Sequence, residues 1–351
     1  MPARFLVVAP NWLGDAVMAL PALAAIRRAR PDDTLVVAAR RAVAPLFTMV
    51  PGVDQVVTLP AAGGWRALRT WRAEAEALAG VRADCVLLLP NSFRSAWVAR
   101  RAAIPERWGA ASDLRRPLLT RAVARPKLPS RHHSEYYGAV VSALGFEMGD
   151  DRPRVVAPEE AAERASALLE RHRVPANVPL VGMAPGAAYG RAKQWPPRRY
   201  AELVQELHER AGTTALLVGS GGDRAAGDEI VERAATGSGT RAPLVNLIGQ
   251  TDLPLLVAVM NRCRAFVSND SGAMHLAAAA GLPVAAPFGP TRELETAPLP
   301  VAGAVTPAHA ILTAPAWCRP CMLRECPIDH RCMTRIPAAA VAAAVVGQIG
   351  R

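Results

Sequence analysis

The feature that most constrains this chain is a twice-repeated alternation of short apolar runs with helix-like stretches. "RFLVVAP" is followed by "DAVMALPALAAIRRAR", then by "DTLVVAA", "VDQVVTL", the helix-like "GGWRALRTWRAEAEALAG" and "ADCVLLLP". The short runs are apolar throughout, as expected of strands in a parallel sheet covered on both faces. "DAVMALPALAAIRRAR" carries basic residues in its last turn, where the helix dipole favours them. "SEYYGAVVSALGF" reads as the helix that closes this half, and the polar, proline-bearing "EMGDDRPRVVAP" suits a linker. The pattern restarts with the helical "EEAAERASALLERHRV" and the strand "PLVGMAPG". "TTALLVGSG", "APLVNLIG", "RAFVSND" and "LPVAAPFG" follow as strands with helices between, and "PAAAVAAAVVGQIG" is a last helix. Two successive α/β units imply two doubly wound domains, residues 1–153 and 154–335, facing each other across a cleft. Ligands in such sheets bind at the carboxyl ends of the strands.

With 351 residues the chain is long enough for both cores. No apolar run reaches the ~18 residues that would span a bilayer. The opening "MPARFLVVAPNWLGD" reads as a first strand rather than a signal peptide, so a cytoplasmic location is expected. The formal charge of +11 has two readings, an arginine-rich composition and an anionic partner. Aromatic residues are only 5% and no nucleic-acid-binding pattern is present, so nucleic acid is not expected as a partner.

Four places carry residues suited to chemistry. In "APNWLGDAVMALPAL", Asp15 stands where the first strand turns into a helix. It reads as a helix cap, or as a carboxylate base kept ionised by the helix N-terminus. In "MAPGAAYGRAKQWPPRRY", Lys193 sits in a glycine-bearing loop after a strand. It reads as a solvated side chain, or as the cation that neutralises a diphosphate leaving group. This loop is not a P-loop, since G-x-x-x-x-G-K-[ST] is absent. In "SNDSGAMHLAAAAGLPVAAPFGPT", Asp270, Ser271 and Gly272 open a small-residue helix that carries Met274 and His275. The plain reading is a capped helix with a packed histidine. The functional one is an anion site, where free N–H groups and a bare glycine backbone approach a phosphate. The turn "VGSGGD" is a weaker example of the same geometry. Last, "WCRPCMLRECPIDHRCM" spaces Cys318, Cys321, Cys326 and Cys332 as C-x2-C-x4-C-x5-C around His330. The expectation is reduced cysteines packing a loop, with no metal; a compact zinc or iron–sulfur knot is the alternative.

These motifs, with "PNSFRSA", resemble glycosyltransferase family 9, the ADP-heptose:lipopolysaccharide heptosyltransferases, over nearly the whole chain. The Cys-rich tail resembles the type II branch. The resemblance implies a GT-B fold of two Rossmann-like domains, the N-terminal one for the acceptor and the C-terminal one for the sugar nucleotide. It also implies that the last helix, 336–351, returns to the N-terminal domain. By the same resemblance Asp15 is the general base and Lys193 lies near the diphosphate. Gly186, Ala187, Ala188, Asp270, Ser271, Gly272 and His275 belong to the sugar-nucleotide site, with Met274 beside the nucleotide. Asp270 is left with two readings, helix cap or partner of a sugar hydroxyl. Asn11, Gly14, Arg94, His132 and His133, with Arg131, are candidates on the acceptor side, against the alternative of a solvated basic face.

The implied reaction is inverting transfer of heptose from ADP-heptose to the first heptose of the lipopolysaccharide inner core. It needs no obligatory cofactor or metal, and the enzyme would lie peripherally on the anionic inner membrane. Ala187 and Ala188 depart from the polar side chains common in relatives. That implies donor contacts through the backbone or a different sugar. The segment "ERWGAASDLRRPLLTRAVARPKL" matches loosely, which leaves acceptor specificity open. The alternatives are a type I or III heptosyltransferase, a sugar-nucleotide epimerase, and a non-catalytic ADP-sugar-binding module.

Overall fold

The computed structural model describes residues 3–60, 67–127, 131–150, 152–236, 242–300 and 309–350. The chain divides into two compact units, Met1–Arg154 and Val155–Arg351. The first unit runs β1 (Arg4–Val8), α1 (Leu13–Met18), α2 (Leu20–Ala29), β2 (Thr34–Arg40), α3 (Ala44–Phe47), β3 (Gln55–Leu59) and α4 (Ala67–Gly80). It continues with β4 (Cys85–Leu88), α5 (Phe93–Arg101), β5 (Glu106–Ala111), β6 (Arg121–Ala124) and α6 (His133–Ala143). Its strands pair in parallel in the order β3-β2-β1-β4-β5-β6. Buried Leu6, Val8, Val36, Val86 and Leu88 from the central strands meet Ala96, Val98 and Ala99 of α5 in one core. The expected helix over "GGWRALRTWRAEAEALAG" begins at residue 63; its first four residues lie outside the described ones, and α4 is the remainder.

The stretch "DAVMALPALAAIRRAR" is two helices, not one, broken at Ala19. Pro21 is the reason. It has no N–H to give to the preceding turn, and it stands at the start of α2, where that loss costs nothing.

The second unit runs α7 (Glu159–Arg171), β7 (Leu180–Ala184), α8 (Pro197–Ala211), β8 (Thr214–Leu217), α9 (Arg224–Ala235), β9 (Leu244–Asn246) and α10 (Leu253–Met260). It continues with β10 (Ala265–Ser268), α11 (Gly272–Ala279), β11 (Val284–Phe288), α12 (Glu293–Thr296), β12 (Ala310–Thr313), α13 (Arg331–Thr334) and α14 (Ala338–Ile349). Its sheet is again parallel, in the order β12-β11-β10-β7-β8-β9. Each sheet therefore has one point where the chain reverses its direction of winding, between β1 and β4 in the first and between β7 and β10 in the second. A crevice opens beyond the strand ends at such a point.

The last helix, α14, clusters with the second unit and packs on α8, β10, β11 and β12. Its Val341, Ala342 and Val345 are wholly buried in a core with Val181, Tyr200, Leu203 and Leu207. An alanine-rich surface lets the helix lie close to α8, and this apolar burial holds it there.

The second unit also shows how a polar side chain fixes a helix start. Asp252 is the N-cap of α10; its Oδ1 accepts from Leu255 N at 2.9 Å, and its Oδ2 accepts from Arg164 of α7 at 2.7 Å. Partial burial pushes its carboxyl up, but the bonds from Arg164 and Leu255 outweigh this and hold it below its usual value. The folded state thus favours the ionised form. The stabilisation is full above the unfolded value of about 3.9 and is lost as pH falls through the lower folded value. Asp252→Ala is expected to cost about 0.5–2 kcal/mol as a lost cap, measured by urea unfolding at neutral pH, and the difference from the parent should shrink in acid.

Candidate active site

The loops at the second unit's switch point carry the most concentrated chemistry. Lys193 closes a single 3-10 turn, Arg191–Lys193, after β7. Its Nζ lies 2.6 Å from Oδ2 of Asp270, which follows β10. The two side chains are 12% and 5% exposed, so this is a largely dehydrated ion pair. Thr291, after β11, donates to the same Oδ2 at 2.7 Å. Asp270 is not the N-cap of α11, a place that Ser271 takes. Its carboxylate is the anchor for Lys193 and Thr291.

The N-cap of α11 is Ser271, in extended conformation, and its side chain makes no capping bond. Its hydroxyl instead lies 3.0 Å from the Ser268 hydroxyl. The first N–H groups of α11, beginning at Gly272, are thus left without a side-chain acceptor, which is the arrangement that binds an anion. His275 is 4% exposed, and Met274 is fully buried. Met274 packs in the core at this position.

Asn269 ties the two loops together. Its Oδ1 accepts from Trp195 N at 2.9 Å and Tyr200 Oη at 3.2 Å. Its Nδ2 donates to the carbonyls of Pro185 at 2.7 Å and Gly186 at 3.3 Å. A buried amide satisfied at both ends fixes loop geometry more firmly than apolar packing can. Gly186 is required by crowding, because any Cβ there would collide with the Asp223 carboxylate. Asp223 belongs to the "VGSGGD" turn, where it forms a capping box with Ser220. That turn therefore abuts the loop after β7. Ala187 is nearly buried and Ala188 exposed.

In the first unit, Asp15 lies in the first turn of α1, beside the β1–β4 switch point, and no side chain caps that helix. Tyr137 of α6 is its electrostatic neighbour. Burial first, and the Asp15 carboxylate next, push the Tyr137 phenol well above its usual value, so it stays neutral beside Asp15. Gly14 is half-buried in the same turn, and Asn11 is exposed, with Oδ1 accepting from Arg40 at 3.4 Å.

Other acceptor candidates have structural duties. Arg94 and Arg40 both bond to Glu74 of α4, which is 3% exposed. Arg94 is thus committed to a buried three-residue network rather than standing as a solvated base. His132 is the N-cap of α6, its Nδ1 accepting from Ser134 N at 3.2 Å. His133 is exposed, and Arg131 pairs with Glu135 at 3.1 Å.

Sequence reasoning missed Thr291, Asn269, Glu74 and Arg115. The first two lie within the conspicuous stretch at 268–291, and their proximity to Asp270 was the available signal. Arg115 gave none. It is wholly buried, with Nε donating to Ala110 O at 2.8 Å and Nη1 to Ser95 Oγ at 3.0 Å. Burial lowers its pKa to about 10, so it remains charged at neutral pH. Asn91 Oδ1 accepts from Tyr136 Oη at 2.7 Å beside it.

All four C-terminal cysteines are free thiols, and Cys332 is buried. Its thiol is pushed up by burial and then by Cys318, Cys321 and Cys326. Among the described residues, no group of three or more His, Cys, Asp and Glu side chains is placed to hold a metal ion.

Two parallel six-stranded sheets, with an acid at one switch point and a lysine and uncapped helix start at the other, have the make-up of a GT-B glycosyltransferase. Comparison with known proteins agrees. The family model described as glycosyltransferase family 9 (heptosyltransferase) matches residues 71–331. Lipopolysaccharide heptosyltransferase 2 of Salmonella typhimurium is 33% identical over 300 residues, covering 84% of this chain and 85% of that protein. The solved ADP-heptose lps heptosyltransferase II of E. coli superposes with a TM-score of 0.80 at 27% identity, over 99% of this chain and 98% of that one. A family 9 glycosyltransferase from Veillonella parvula shares the fold, with a TM-score of 0.84 at 21% identity over 99% and 97% of the two chains. The chain belongs to glycosyltransferase family 9, the heptosyltransferases.

Asp270→Asn removes the anion that holds Lys193. Breaking a buried pair by deleting one partner costs about 3–5 kcal/mol, so the variant is expected to unfold at clearly lower urea concentration; an unchanged midpoint would show that water already screens the pair.

Proposed function

We propose that this chain transfers a heptose from ADP-heptose to the first heptose of the lipopolysaccharide inner core, with inversion at the anomeric carbon. Family membership and the type 2 relatives support the substrate pair. The observation that carries the donor half is the Lys193–Asp270 pair beside the uncapped start of α11. The ammonium, oriented by Asp270, and the N–H groups that begin at Gly272 are the donors offered to a diphosphate. Asp15 accepts the proton of the acceptor hydroxyl, whose oxygen bonds to the anomeric carbon. The bond from that carbon to the diphosphate oxygen breaks, and ADP leaves with the electron pair. A carboxylate at a helix start is a weak base, which suits a proton that moves late, once the attacking oxygen has become acidic. Donors aimed at charge that develops during reaction are commonly the largest catalytic contribution. No metal is needed for this chemistry. Nothing observed on the chain favours an epimerase or a non-catalytic module.

The acceptor is lipid-linked, and we place the enzyme peripherally on an anionic membrane. Most of the excess positive charge belongs to the first 154 residues. Arg41, Arg116, Arg125 and Lys127 are exposed on the segments after β2, β5 and β6. The exposed Trp12, Phe93 and Leu114 follow β1, β4 and β5 on the same edge of the sheet. Basic groups near an anionic surface contribute about 1 kcal/mol each. Among the described residues, no helix is long and apolar enough to cross a membrane.

With ADP-heptose and an acceptor bearing one heptose, Asp15→Ala should bind donor normally and transfer almost none of it. Lys193→Ala should lose about 10²–10³ in kcat. Wild-type inactivity with this pair would refute the named substrates. Vesicles of phosphatidylglycerol and phosphatidylcholine should bind the protein at low salt and release it at high salt; salt-independent binding would refute the electrostatic attachment.

A further inference from the structure

The Cys-rich segment is not absorbed by the function proposed above, yet it touches the loops that build the donor site. Tyr189 Oη donates to Met322 O at 2.9 Å, and Ala192 N donates to Arg324 O at 2.9 Å. The ring Nε2 of His330 lies 2.6 Å from Ala192 O and donates to it. A Cβ on Gly190 would collide with the Arg324 backbone, so the two segments run in direct contact. The Tyr189 ring lies 4.8 Å from Lys193 Nζ and 5.2 Å from the Arg324 guanidinium. The same segment holds the loop after β11. Arg319 Nε donates to Gly289 O at 2.6 Å, its Nη2 reaches Glu293 at 2.7 Å, and Met322 N donates to Pro290 O at 3.0 Å. That second loop carries Thr291, the other donor to Asp270.

We propose that residues 318–332 form a positioning clamp that sets Lys193 and Thr291 around Asp270, and that His330 is its chief positioning residue. His330 touches none of the three. It acts through the carbonyl of Ala192, one peptide from Lys193, at the end of a turn with little regular structure of its own. A short loop held by side chains from a segment 138 positions away has the geometry that segment imposes. The four cysteines of the segment are free, three half-buried and Cys332 buried. The inference rests on the reading of Lys193 as the cation that meets the diphosphate.

The test is a double-mutant cycle with hydrogen exchange as a second readout. Misplacing a catalytic group by about 1 Å can cost about a hundredfold in rate. His330→Ala is expected to lower kcat about 10- to 100-fold with a smaller change in KM for the sugar nucleotide. His330→Gln, which restores an N–H donor, should recover much of the loss. Lys193→Ala/His330→Ala should be no slower than Lys193→Ala alone, since His330 acts through the lysine. Exchange of the Ala192 and Lys193 amides should rise in His330→Ala. Multiplicative losses in the double variant, or a lower Tm with kcat intact, would overturn the clamp. Unchanged exchange in the loop would overturn it whatever the kinetics. If Lys193→Ala keeps full kcat, the reading of the lysine falls, and the exchange data still decide the clamp.

Discussion

A lysine and an aspartate, 2.6 Å apart and almost out of water, set the terms for the second unit. Neither charge is stable there alone, because desolvation of an unpaired ion costs more than any single packing contact returns. The pair therefore demands that three loops, after β7, β10 and β11, arrive together with the right side chains forward. The surrounding hydrogen bonds meet that demand. Asn269 joins the first two loops, Thr291 brings in the third, and Arg319 with His330 fastens the outer two from behind. What results is a cation whose position is fixed by the fold itself.

The first unit solves a parallel problem with a different balance of charge. Its sheet has the same winding and the same kind of switch point. There the acid, Asp15, sits in an uncapped helical turn beside a tyrosine kept neutral by burial. The arginines of this unit divide into two groups. Arg40 and Arg94 are spent on the buried Glu74, and Arg115 is sealed among carbonyls and a hydroxyl, whereas Arg41, Arg116 and Arg125 stand free in solvent. Only the second group is available to an anionic surface.

Much of this could be read in the residues before the fold was seen. Long apolar runs gave the central strands, and glycines, a lysine and an aspartate at strand ends gave the loops that matter. The strands β5 and β6 escaped notice because "ERWGAA" and "RAVA" are short, charged and partly exposed, as strands toward a sheet edge often are. The Asp270–Lys193 pair joins residues 77 positions apart, and no local pattern announces a partner at that distance. Arg94 and His132 were legible as polar residues near strand ends but not as structural ones, since Glu74 and Ser134 decide their roles by proximity. The packing of the last helix on α8 rests on an apolar face that the alanine- and valine-rich stretch made legible.

The contact between His330 and Ala192 also has a meaning in time. The loop that carries Lys193 leaves the ribosome 138 residues before the histidine that holds it. At ~5–20 residues per second, that is a wait of roughly 7–30 s. Strands β7 to β11 and their helices can form meanwhile, but through that interval the nascent unit has its lysine without the outer clamp. The loop that carries Lys193 is therefore among the last parts of the unit to be fastened.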